Sequence, residues 1–111
     1  MSKKLPSHVQ ISAFNYTISV DQDYLDKEGA ERGKTLVGLS ELNDQKITIS
    51  EAADDYMADT LLHEILHQCI MVTGIEIRNL KLEEQLITTI TPMLLDTLRR
   101  NPEVVEYLLG M

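Results

Sequence analysis

The sequence predicts an α+β domain: a small N-terminal antiparallel or mixed sheet packed on a long helix, then a supporting helix and a C-terminal one. Three observations predict it. Residues His8–Val20 are rich in β-branched and aromatic side chains with a period near two. A polar Asn43–Asp44–Gln45 step separates two further short apolar runs. From Ser50 onward the apolar residues recur every three or four positions instead.

Taken in order, Val9, Ile11 and Ala13, then Tyr16, Ile18 and Val20, alternate with polar neighbours. A phase break near Phe14–Asn15 marks a bulge or a turn. Asp21–Lys34 is charged and carries two glycines, so it reads as a loop with at most a short helical turn. Thr35–Leu42 and Lys46–Ser50 are strand candidates joined as a hairpin. Ile47 and Ile49 fall on one face and Thr48 and Ser50 on the other, the pattern of a half-buried strand. Met57, Ala58, Leu61, Leu62, Ile65, Leu66, Cys69 and Ile70 then form one helical stripe. Glu51, Asp54 and Asp55 near its start complement the helix dipole, and Gly74 is a C-terminal stop. A second helical pattern runs from Leu80 to Arg100, with Leu86, Ile87, Ile90, Leu94 and Leu98 inward. At Pro92 this helix either kinks or breaks, with Thr91 capping a new start. Asn101–Pro102 repeats the cap-plus-proline signature and opens a terminal helix, Pro102–Leu109.

With 111 residues, 43% hydrophobic and 25% charged, the chain has the length and composition of one globular domain. No apolar run approaches the roughly 18 residues of a membrane-spanning helix. The start MSKKLPSHVQ has two lysines but no apolar stretch after them, unlike a signal peptide. The single cysteine cannot form an internal disulfide, which fits a reducing, cytoplasmic setting. A net charge of −8, with Lys3/Lys4 and Arg99/Arg100 as isolated pairs, argues against nucleic acid and anionic membranes as partners.

His63–Glu64–Ile65–Leu66–His67 is an HExxH motif. Residues four apart on a helix lie one turn above the other, so His63 and His67 can bind one metal ion. Glu64, about 100° round the helix from His63, sits beside the metal and not on it. There it can take a proton from an activated water and pass it to a leaving amine. Two imidazoles, a carboxylate and an open position describe hydrolytic zinc, so Zn2+ is the expected cofactor. From this chain's own His and Glu frequencies the pattern arises by chance in roughly one such chain in a hundred.

The stretch TLLHEILHQCI resembles the active-site helix of zincin metallopeptidases. With VGLSELNDQKITIS before it and LEEQLITTITPMLLDTLRRNPEVVEYL after it, residues 35–109 resemble small phage and mobile-element proteins related to the ImmA/IrrE metallopeptidases. The resemblance implies a gluzincin-like site whose third ligand is a Glu of the following helix. It also implies that the strand before the active-site helix pairs with an extended peptide substrate. The family's E-A-x-x-F-A-A pattern is not reproduced, since Thr88, Thr89 and Pro92 stand there, and at 111 residues a second domain to wall a cleft is not expected. Both departures point to a narrow substrate.

Glu83 and Glu84 compete for the third ligand. On a helical wheel Glu83 lies near the centre of the apolar face of Leu86, Ile87, Ile90 and Leu94, and Glu84 lies roughly 110° away, at its margin. The two histidines also lie at the margin of their stripe, where a water position can stay open. Alignment of Asn101–Pro102 with the resembling family puts its ligand position on Glu84 as well. Glu84 is the expected ligand and Glu83 the alternative. From Ile47 to Ile77 there are six acidic residues (Glu51, Asp54, Asp55, Asp59, Glu64, Glu76) and no Lys or Arg, a field that favours a cation. Asp59, one turn before His63, is either its hydrogen-bond acceptor or a plain surface residue. Cys69 and Tyr56 read as packing, and His8 as a solvated strand end.

The expected function is a zinc-dependent peptidase with Glu64 as general base. It would act on a narrow cytoplasmic protein substrate, and the resemblance alone suggests a phage or mobile-element regulator. The other reading is a non-catalytic, zinc-stabilised module that binds a protein partner. A purely structural site has no use for a carboxylate beside its ligands, so Glu64 separates the two.

Overall fold

The computed structural model describes residues 4–74 and 79–110 and is α+β, a four-stranded mixed sheet with four helices, 57% helical. The chain divides into two units, residues 1–76 and 77–111. The first holds the sheet and two helices, the second the other two. No helix among the described residues is long and apolar enough to cross a membrane.

In the first unit β1 (His8–Ile11) and β2 (Phe14–Val20) form an antiparallel hairpin. The expected phase break is a turn two residues earlier than Phe14–Asn15, where Ser12 takes a positive φ of 55°. Helix α1 (Gln22–Arg32) replaces the loop expected over Asp21–Lys34. Its ends are well made: the Asp21 carboxylate accepts from the Tyr24 N–H, and Gly33 closes it in the left-handed conformation. Gly29, which reads as a breaker, is needed for space. A Cβ there would meet the Lys34 carbonyl oxygen at 2.5 Å.

Strands β3 (Gly38–Glu41) and β4 (Lys46–Ile49) form the second hairpin, and the sheet order is β1-β2-β4-β3. Strands β2 and β4 run parallel, with Ile18 opposite Ile47, because α1 carries the chain across between them. Strand β4 is buried on both faces, not one, since Ile47, Thr48 and Ile49 are all fully covered. Helix α1 lies on the Thr48 face. There the Tyr24 hydroxyl donates to Glu41 Oε1 at 2.8 Å, and Lys46 Nζ stands 3.6 Å from the Tyr24 ring centroid. Helix α2 (Asp54–Thr73) lies on the other face, where Met57, Leu61, Ile65, Cys69 and Val72 pack on Ile11, Tyr16, Ile47 and Ile49. Each fully buried isoleucine contributes on the order of 2 kcal/mol. Gly74 ends α2 at φ 76°, as expected of a left-handed cap.

In the second unit α3 (Leu80–Arg100) runs unbroken through Pro92. Thr91 does not cap a new helix. Its hydroxyl turns back to the Ile87 carbonyl at 2.6 Å. The side chains that α3 buries also differ from the expected set. Ile87 and Thr91 are buried, Leu94 and Leu98 half-buried, but Leu86 and Ile90 are 50% and 49% exposed. The buried line follows a four-residue step through Thr91, which an apolar pattern does not register. Helix α4 (Pro102–Leu108) starts with Pro at its first turn, as the Asn101–Pro102 step predicts, although the Asn101 side chain makes no capping bond.

Candidate metal centre

Helix α2 turns three successive lines of side chains toward different tasks. One line is apolar and forms the core with the sheet. A second, Thr60, Glu64 and Gln68, is polar yet buried, with Glu64 8% and Gln68 1% exposed. The third carries His63 and His67, both half-buried at the margin of the packed face.

The histidines present the same nitrogen to each other. His63 Nε2 and His67 Nε2 lie 3.2 Å apart, with ring centroids at 4.9 Å and ring planes inclined by 61°. Two nitrogens at zinc-ligand distance on neighbouring corners of a tetrahedron stand about 3.3 Å apart, so this pair fits one ion. Among the described residues one group of three or more His, Cys, Asp or Glu brings ligand atoms together: His63, His67 and Glu84, all within 4.8 Å of one another. They are close enough to hold a metal ion. Two imidazoles and one carboxylate form the donor set of hydrolytic zinc sites.

No family model, curated protein or solved structure matches the chain.

Glu83 is half-buried beside Glu84 in α3 and is not in the converging group. Glu84 is exposed and accepts from Thr88 Oγ1 at 3.3 Å. Asp59 is half-buried, not a plain surface residue, and its buried Oδ1 has no hydrogen-bond partner among the described residues, so through that oxygen it does not support His63. Cys69 packs on the core, as expected. Tyr56, expected to pack, is 54% exposed in the first turn of α2. His8 is exposed at the start of β1, beside the Ser7 hydroxyl, in line with a solvated strand end. Glu76 lies outside the described residues.

Sequence reasoning missed what anchors the buried polar line of α2 to the sheet. Tyr16, fully buried, donates its hydroxyl to Gln68 Oε1 at 2.7 Å, and Gln68 Nε2 donates to Ser40 Oγ at 3.0 Å. Burial first, and Cys69 second, push the Tyr16 pKa above its ordinary value, which keeps the hydroxyl a donor. One amide thus ties α2 to β2 and to β3. The signal was the four-residue spacing Thr60–Glu64–Gln68, a polar line inside a buried helix face.

The strand beside the site also differs from the expected one. Strand β4, which directly precedes the helix, is paired on both sides and has no open edge. The edge strands are β1 and β3, and it is β3 that meets the polar line of α2, through Gly38 and Ser40. The Ser50 N–H donates to the Val37 carbonyl at 2.8 Å, which sets the alternation of the ladder. The backbone groups of Val37, Leu39 and Glu41 then point to β4, and those of Gly38 and Ser40 point to the open edge.

Proposed function

We propose that the protein is a zinc-dependent peptidase of the zincin type, with His63, His67 and Glu84 as ligands and Glu64 as general base. The convergence of one ligand atom from each of those three residues carries the reading. A bound zinc ion would polarise the scissile carbonyl and make water nucleophilic near neutral pH. The protein's own residues do the rest. Glu64, outside the converging group and held in the buried line of α2, takes the proton from the attacking water and returns it to the departing amine. The free backbone groups of Gly38 and Ser40 on β3 align an extended peptide by strand addition. The substrate is a narrow one, a cytoplasmic protein such as a phage or mobile-element regulator, on the resemblance of residues 35–109.

Glu64→Gln tests this. The zinc-loaded protein is incubated with a fluorescence-quenched peptide library, and metal content is measured on the same samples. The variant keeps its zinc and loses cleavage by about a hundredfold or more, the scale of a lost general base. Equal cleavage by both proteins contradicts the role of Glu64. No cleavage by a zinc-loaded wild type favours the non-catalytic binding module.

A further inference from the structure

At Gly38 the edge strand β3 approaches the histidine helix closely. An ideal Cβ on Gly38 would stand 2.8 Å from Thr60 Cγ2, 3.0 Å from Glu64 Oε2 and 3.2 Å from Glu64 Cγ. Such distances are inside van der Waals contact, so any side chain at 38 displaces Thr60, Glu64 or the strand. Gly38 is not among the positive-φ glycines, so the position uses the missing Cβ and not backbone freedom. Thr60 is β-branched and buried, with little room to rotate. Glu64 is the softer neighbour, because its carboxylate ends a flexible chain. Two residues along β3, the Gln68–Ser40 bond holds the strand to the same helix and prevents the strand from simply lifting away.

We propose that Gly38 is a positioning residue for Glu64. Its missing Cβ lets β3 close on α2 so that the carboxylate lies against strand backbone whose N–H and C=O face the open edge. This rests on the peptidase reading, in which that edge aligns the substrate. The carboxylate then meets a peptide bond at a depth that position 38 sets. With a methyl group there, Glu64 is pushed off that position while the histidines, on a different line of α2, keep theirs.

The test uses acetohydroxamic acid, which chelates zinc through two oxygens and shares its acidic proton with a carboxylate beside the metal. Thr60→Ala removes the 2.8 Å contact and serves as the background in which Gly38→Ala folds. Zinc content, urea unfolding midpoint and hydroxamate affinity are measured for Thr60→Ala alone and with Gly38→Ala, Glu64→Gln or both. The expected result is retained zinc, a nearly unchanged midpoint and a tenfold or greater loss of hydroxamate affinity in Gly38→Ala. Glu64→Gln loses affinity similarly, and the combined variant loses no more than either. Losses that multiply, or no loss in Gly38→Ala, overturn the inference while the metal reading stands. A wild type that takes up no zinc overturns the metal reading and this inference with it.

Discussion

Gln68 joins two strands to one helix with a single amide. Its carbonyl accepts from Tyr16 on β2 and its amino group donates to Ser40 on β3, and all three lie within or against the core. A buried hydroxyl left without a partner costs about 1–3 kcal/mol, more than the net value of the bond it made. Gln68→Leu keeps the volume but strands the Tyr16 hydroxyl, so it should lower stability by about 2–3 kcal/mol in urea unfolding. Adding Tyr16→Phe should recover part of that loss, because both partners are then apolar. If the double variant is as unstable as the sum of the singles, the pair is not coupled and the network account is wrong.

At the scale of elements, α1 was hard to read and α2 was easy, for different physical reasons. An HExxH pair must sit four residues apart on a helix to reach one ion, so its spacing shows the helix and the site together. Helix α1 buries only Leu25 and Gly29 and is otherwise mostly charged, so it has almost no apolar stripe to detect. Without it, β4 looked half-buried, because nothing else would cover Thr48. The expected α3 face failed at Thr91, a polar residue taken into the buried line by its bond to Ile87. Glu84 was distinguished from Glu83 by its place at the margin of that face and by the alignment of Asn101–Pro102 with the resembling family.

The docking of α1 on the sheet also carries a pH dependence. The hydrogen bond to Glu41 is the first cause, and burial the second, that raise the Tyr24 pKa from its ordinary 10.0. A phenol that holds its proton more tightly when folded stabilises the fold fully below the unfolded value, and that stabilisation is lost as pH rises above it. Tyr16 acts in the same direction. The urea midpoint should be flat from about pH 8 to about pH 9.5 and fall above about pH 10, and Tyr24→Phe should flatten the fall. An identical profile in the variant would contradict the link.

For the molecule as a whole, charge and site agree. The chain carries a net −8, and the segment that holds the HExxH helix has acidic residues and no Lys or Arg from Ile47 to Ile77. Such a field attracts a divalent cation and repels phosphate-bearing partners. Everything proposed for the chemistry depends on whether that cation is zinc held by the two histidines. Elemental analysis of the purified wild type and of His67→Ala tests this most directly. The account predicts about one zinc per chain in the wild type and little in His67→Ala, because the variant loses one of the three ligands. Equal metal in the two proteins, or none in the wild type, would contradict it.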